Sequence, residues 1–211
     1  MVSREKIIKG YIEFELLNGR APNSVFELTK KLRIEEPAFY EVFNSLEQVQ
    51  KEIVTSFIDH TLMLLDADPE YESFSSREKL LAVFFTLFEQ LRAQRSYLLS
   101  KYSELKKAPE ASKDWKTFLE LLTARIDMII AEARTSEEIK DRPYIADHYG
   151  KGYKLVFAYL FRVWIKDEST GFSTTDAAIE KTINASFDML GSNPLDSLLD
   201  FGKFAFKTKV F

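Results

Sequence analysis

Side chains able to move a proton, hold a metal or attack a carbonyl are sparse in this chain. Its two histidines, His60 and His148, lie far apart, and neither sits in a ligand spacing such as His-x-x-x-His. Each follows an aspartate, Asp59 and Asp147, but neighbours along a helix do not face each other, so neither pair is a ready acid–base couple. There is no cysteine, hence no thiol nucleophile, thiolate metal site or disulfide framework. Glu35-Glu36 and Glu137-Glu138 read as first-turn acids favoured by a helix dipole, not as carboxylate dyads. Gly150-x-Gly152 is too short for a phosphate loop and lacks the strand such a loop follows. The chain reads as a binding protein and not an enzyme, with no catalytic residue, no metal and no cofactor expected.

The elements that position these residues follow from composition and periodicity. Hydrophobic residues make up 45% and charged residues 29%, so a core can form and long disorder is set aside. Only 7 glycines and 6 prolines are spread over 211 residues, too few for the turns of a hairpin-rich sheet, and this favours long helices. No run approaches ~18 consecutive apolar residues. Met1 to Lys9 alternate charge with isoleucine and do not present a basic start followed by an apolar run. No membrane partner is expected, and the chain reads as a soluble cytoplasmic protein.

Residues 3–18 set Ile8, Ile12 and Leu16 four apart with Ile7, Tyr11 and Phe14 beside them, which predicts one buried helical stripe stopped by Gly19. Residues 24–31, behind the caps Asn23 and Ser24, make a helix too short to stand alone, so it must pack on a neighbour. After Leu32-Arg33-Ile34, the run Glu35, Glu36 and Pro37 opens a second short helix with an aromatic face of Phe39, Tyr40 and Phe43. Ser45 and Gln48 have the form of a capping box ahead of a long helix over 45–65. Asp66 to Ser76 is the linker where a domain boundary falls. Ser75 and Glu78 box the next helix, which carries Leu81, Phe84, Phe85, Phe88 and Leu91. Further helices are predicted over 114–134, from about Tyr144 to Lys166, over 175–190, and from Asn193-Pro194 to about Lys207. Lys203, Lys207 and Lys209 suit the negative end of that last helix. The fold class is all-α with about nine helices and no strand-period segment.

Two short helices joined by a tight turn, with one helix before and a longer one behind, is the order of a helix-turn-helix module with its supports. Over residues 4–50 the chain resembles the N-terminal domain of the TetR (tetracycline repressor) family of bacterial transcription regulators. The residues that carry the resemblance, without a gap, are Arg4-Glu5-Lys6-Ile7-Ile8, Gly19, Ser24-Val25, Leu28, Ile34, Phe39-Tyr40-x-x-Phe43 and Ser45-x-Glu47. The resemblance implies a helix-turn-helix DNA-binding domain over 1–50, a connecting fourth helix over 45–65, and a helical ligand-binding and dimerisation domain over 66–211. It implies a homodimer on operator DNA, with a recognition helix at about 35–43 in the major groove and a ligand in the larger domain that shifts the spacing of the paired heads. Tyr40 and the backbone amides near Ser24 would then bond phosphates, and Lys30, Arg33 and Lys51 would neutralise them.

The charge pattern departs from that family. Between Glu35 and Gln50 stand Glu35, Glu36, Glu41 and Glu47 with no Lys or Arg, where the family usually places basic or small polar residues. Residues 1–50 hold seven basic side chains against eight acids. Counterion release supplies most non-specific DNA affinity, and a head short of cations forgoes much of it. Glutamate can still accept from cytosine N4. Leu32 and Arg33 stand where the family has a small residue and a glycine, and Glu15 stands where it buries an aromatic.

Beyond residue 66, aromatic bulk is concentrated in Phe84, Phe85, Phe88, Trp115, Phe118, Phe157, Tyr159, Phe161 and Trp164. Two readings are open. One is a packed core. The other is an apolar pocket for a small hydrophobic ligand, lined by Phe84, Phe88, Trp115, Phe118, Tyr153 and Phe157, with polar edges from Tyr149, Tyr153 or Arg125. The family uses its last amphipathic helix pair, here 152–166 and 175–190, as a four-helix dimer contact. Leu155, Tyr159, Arg162, Ala178, Thr182 and Ser186 would serve there, or else form ordinary solvent and core faces. Two functions therefore stand: a ligand-responsive dimeric regulator, or a TetR-fold lipid or hydrophobic-metabolite binding protein that has lost DNA recognition, an architecture known in a ubiquinone-biosynthesis lipid-binding family.

Overall fold

The computed structural model describes residues 2–102, 113–139 and 149–191, and among them there are nine α-helices and no strand. The first helix, α1 (Arg4–Asn18), begins where the Ser3 hydroxyl accepts from the Lys6 amide at 3.2 Å. It stops at Gly19, whose left-handed φ of 65° turns its amide back onto the Glu15 carbonyl. Then come α2 (Val25–Leu32), α3 (Glu36–Tyr40) and α4 (Leu46–Ala67). The α4 start is boxed as its sequence predicts: Gln48 N–H donates to Ser45 Oγ at 3.1 Å, while the Gln48 side chain accepts from the Asn44 amide at 2.8 Å. The linker is not featureless, because a 3-10 turn, Tyr71–Ser73, buries Tyr71.

The remaining helices are α5 (Ser76–Ala93), α6 (Arg95–Tyr102), α7 (Lys116–Thr135), α8 (Tyr149–Ile165) and α9 (Ser173–Gly191). Periodicity alone does not give α6. The chain breaks only at Gln94, whose amide still reaches the Leu91 carbonyl, and no glycine or proline marks the spot. The helix expected from Asn193, His148 and the lysines of the closing stretch lie outside the described residues. Two further expectations change. Regular helix in α3 ends at Tyr40, one irregular turn short of Phe43, with Phe43 N–H still bonded to the Phe39 carbonyl at 2.9 Å. On α1 the buried face is Ile7, Gly10, Tyr11, Ile12 and Phe14, whereas Leu16 is 43% exposed; 3.6 residues per turn cannot keep both four-residue rows on one core.

By contacts the chain groups into two compact units, Met1–Ala67 with Thr86–Leu122, and Asp68–Phe85 with Thr123–Phe211. In the first, α1 packs on α2, α4 and α6, and α2 on α3. Its core holds Ile7, Tyr11, Leu28, Phe39, Phe43, Val49, Ile53, Tyr97, Trp115 and Phe118. In the second, α8 packs on α9, joined through Asp167, whose carboxylate accepts from the amides and hydroxyls of both Ser169 and Thr175. Gly150 lies at the start of α8 so close to α7 that a Cβ there would overlap Thr123 and Asp127 side-chain atoms.

Candidate nucleic-acid interface and ligand-binding residues

The α2–turn–α3 arrangement is built by burial from beneath. Leu28 and Phe39 are fully buried and Phe43 nearly so, while Tyr40, packed edge-on against Phe39 at 5.4 Å, is 49% exposed. Arg4 stacks over the Phe43 ring at 4.5 Å and donates to Glu52 on α4 at 2.9 Å, fixing the head to the fourth helix. The turn itself closes at Arg33, which adopts the left-handed φ of 53° that glycine takes most easily, and Ile34 N–H returns to the Thr29 carbonyl at 3.1 Å. Leu32, the large residue in place of a small one, finds room because α1 offers Gly10: a Cβ there would overlap the Leu32 Cδ2 methyl.

Ser24, Lys30, Arg33, Tyr40 and Lys51 are all exposed. Ser24 is the N-cap of α2, accepting from Glu27 N–H at 3.2 Å. Lys30 lies over the Phe26 ring at 5.2 Å. The first turn of α2 also holds an acid, Glu27, that the reading of the sequence passed over, although Ser24-x-x-Glu27 has the spacing of a capping box. Its carboxylate takes both Arg20 guanidinium nitrogens, at 2.7 and 3.1 Å, and the Asn23 amide at 2.7 Å. The Arg20 bonds first, and the Asn23 amide second, hold it down to a pKa of about 2. One amide and one cation at this helix start are therefore already engaged by an internal anion.

The six aromatic residues proposed for a pocket fall in both units. Phe88, Trp115 and Phe118 belong to the first, where Trp115 meets Phe118 edge-on at 4.9 Å and its indole N–H donates to the Tyr102 hydroxyl at 2.8 Å. Phe84, Tyr153 and Phe157 belong to the second, with the Phe84 and Tyr153 rings 6.2 Å apart. All six are buried. Tyr153 shares a 3.1 Å hydrogen bond with Ser186 on α9, and burial raises its hydroxyl pKa. Tyr149, 8% exposed, has a hydroxyl with no hydrogen-bond partner among the described residues. Phe161 and Trp164 join the core, but Tyr159 is 51% exposed and lies with Leu155 and Arg162 on the outer stripe of α8.

An all-helical arrangement among the described residues, with a helix-turn-helix head seated on a long fourth helix, is the architecture of the TetR-like class. Residues 79–205, more than half of the chain, match the family model of the tetracyclin repressor-like C-terminal domain. The chain belongs to the TetR family. No match to it was found among curated proteins or among solved structures. No described helix is long and apolar enough to cross a membrane.

Proposed function

We propose that this TetR-family protein is a ligand-responsive transcription regulator that binds operator DNA as a homodimer, with residues 1–50 as the reading head and 66–211 as the ligand-binding and dimerisation domain. The observation that carries this reading is Tyr40, half exposed on a helix whose other aromatic residue, Phe39, is fully buried. That presents a phenolic hydroxyl for a backbone phosphate, with Ser24, Lys30, Arg33 and Lys51 as the other contacts. In the second unit the buried Tyr149 hydroxyl supports a ligand site beside Phe84, Tyr153 and Phe157, since an unpaired buried hydroxyl costs about 1–3 kcal/mol unless something bonds it. Leu155 and Tyr159, exposed four residues apart on α8, support a paired α8–α9 interface. Phe88, Trp115 and Phe118, the other three residues of the expected pocket, lie in the first unit.

A salt titration of binding to random-sequence duplex tests the DNA half of the proposal. The regulator predicts measurable affinity at low salt that falls steeply as salt rises. A second reading, a lipid or hydrophobic-metabolite binding protein without DNA recognition, is favoured by two specific features. These are the Glu27 carboxylate engaged at the start of α2 and the row of acids from Glu35 to Glu47. Absence of duplex binding even at the lowest salt selects it.

A further inference from the structure

The helix α1 carries two apolar rows, and one of them joins the core only at Ile12. That row, Ile8, Ile12 and Leu16, lines a groove of about 570 Å³ open to solvent, whose second wall is the outer face of α4. Ile12 is buried, but Ile8 is only partly covered and Leu16 is 43% exposed. A site of this volume suits a small molecule, pockets for which run from about 300 to 1,000 Å³. The walls decide its charge. Among the described residues of its lining, Glu5, Glu13, Glu52 and Asp59 face only Arg4 and Lys9 as always-ionised cations, and Arg4 already donates to Glu52 at 2.9 Å. Four carboxylates against two such cations leave the groove short of positive charge even with His60 beside Asp59, and desolvation with the neighbouring Glu52 raises the Asp59 carboxyl above its ordinary range.

We propose that this groove binds a small organic cation with an apolar body, its hydrocarbon lying on Ile8, Ile12 and Leu16 and its charge held between Glu13 and Asp59. The site lies wholly within the first unit and is separate from the aromatic residues of the second. An anionic ligand of equal shape is rejected, because four carboxylates repel it and apolar contact alone does not compensate.

Tetraphenylphosphonium and tetraphenylborate, near-identical in shape and opposite in charge, test this by calorimetric titration of the full chain. The phosphonium should bind at one saturable site, and added salt should weaken it. The double variant Glu13→Gln, Asp59→Asn should bind it about fivefold more weakly, as expected for two exposed ion pairs. Both side chains are exposed, so the variant is expected to fold, which a melting curve checks. The borate should show no saturable heat. Equal binding of the two ions, wild-type affinity in the double variant, or no saturable phosphonium binding each overturns the proposal. So does phosphonium affinity that drops as protein concentration rises, which would assign the groove to a second copy of the chain.

Discussion

Glu15 of α1 and Lys101 of α6 form an ion pair at 3.3 Å in the interior of the first unit, with side chains only 10% and 19% exposed. The lysine ammonium also lies 6.0 Å from the Tyr11 ring centre and 5.1 Å from that of Tyr97. Tyr11 in turn accepts from Gln50 on α4, so polar contacts tie three helices together where the family has an aromatic. Burial, and then the nearby Glu15 charge, push the Tyr97 hydroxyl far above the usual phenol range and Tyr11 up to about 12. Among the described residues one oxygen of Glu15 has no hydrogen bond, and Lys101 pairs with the other.

Removing one partner of such a pair costs more than removing both. Lys101→Met should destabilise the protein by about 3 kcal/mol, because it leaves a buried carboxylate alone. Adding Glu15→Leu to that variant should recover most of the loss. Urea unfolding of the two single variants and the double variant measures it, and purely additive losses would mean that the pair is not coupled.

Gly10 and Leu32 form a second coupled pair. Gly10→Ala should cost about 1–2 kcal/mol in the native sequence, since the new methyl overlaps Leu32 and the core must shift. In a Leu32→Ala background the same change should become stabilising by about 0.5–1 kcal/mol, the ordinary helix preference for alanine over glycine. A double-mutant cycle in denaturant reads the sign reversal.

Arg33→Gly should raise stability and lower DNA affinity together. Its left-handed φ of 53° is costly for a side-chain-bearing residue, and the gain should be about 0.5–1 kcal/mol by melting or urea. Under the proposed DNA contact, losing this cation should reduce the magnitude of the salt slope of duplex binding by about 0.9. A stabilised variant with an unchanged slope would remove Arg33 from the interface.

Asp167 links stability to acid. Burial by itself would raise its pKa, but the hydroxyls and amides of Ser169 and Thr175 outweigh that and hold it at about 2. A folded-state value below the unfolded value of about 3.9 means the contribution is complete above pH ~4 and is lost as pH falls toward 2. Asp167→Asn should therefore lower the melting temperature at pH 6 and flatten its dependence between pH 4 and 2. Equal acid sensitivity in both proteins would assign the effect to other carboxylates.

The helix boundaries legible from sequence are those with a local chemical mark. Ser3, Gly19, Ser45 with Gln48, and Ser75 with Glu78 each satisfy orphan backbone groups within a few residues, and the structure uses all of them. The break at Gln94 carries no such mark, which is why α6 is invisible to periodicity. The candidate site is legible only in outline. Tyr40 and the cations can be named only through the family resemblance, and Glu27 only as a capping-box acid; that its carboxylate also takes both Arg20 guanidinium nitrogens depends on how the chain folds back across the start of α2.

The sequence by itself determined the helical class seen in the described residues, a three-helix head with two short helices, and the excess of acids in that head, because composition, caps and 3.6-residue periodicity are local properties. Only the tertiary structure decided which of the two apolar rows on α1 joins the core, that Gly10 makes room for Leu32, and that Glu15 meets Lys101 across 86 residues of sequence. Each of these depends on the distance between helices remote in the chain, a quantity that packing sets and that no single helix encodes.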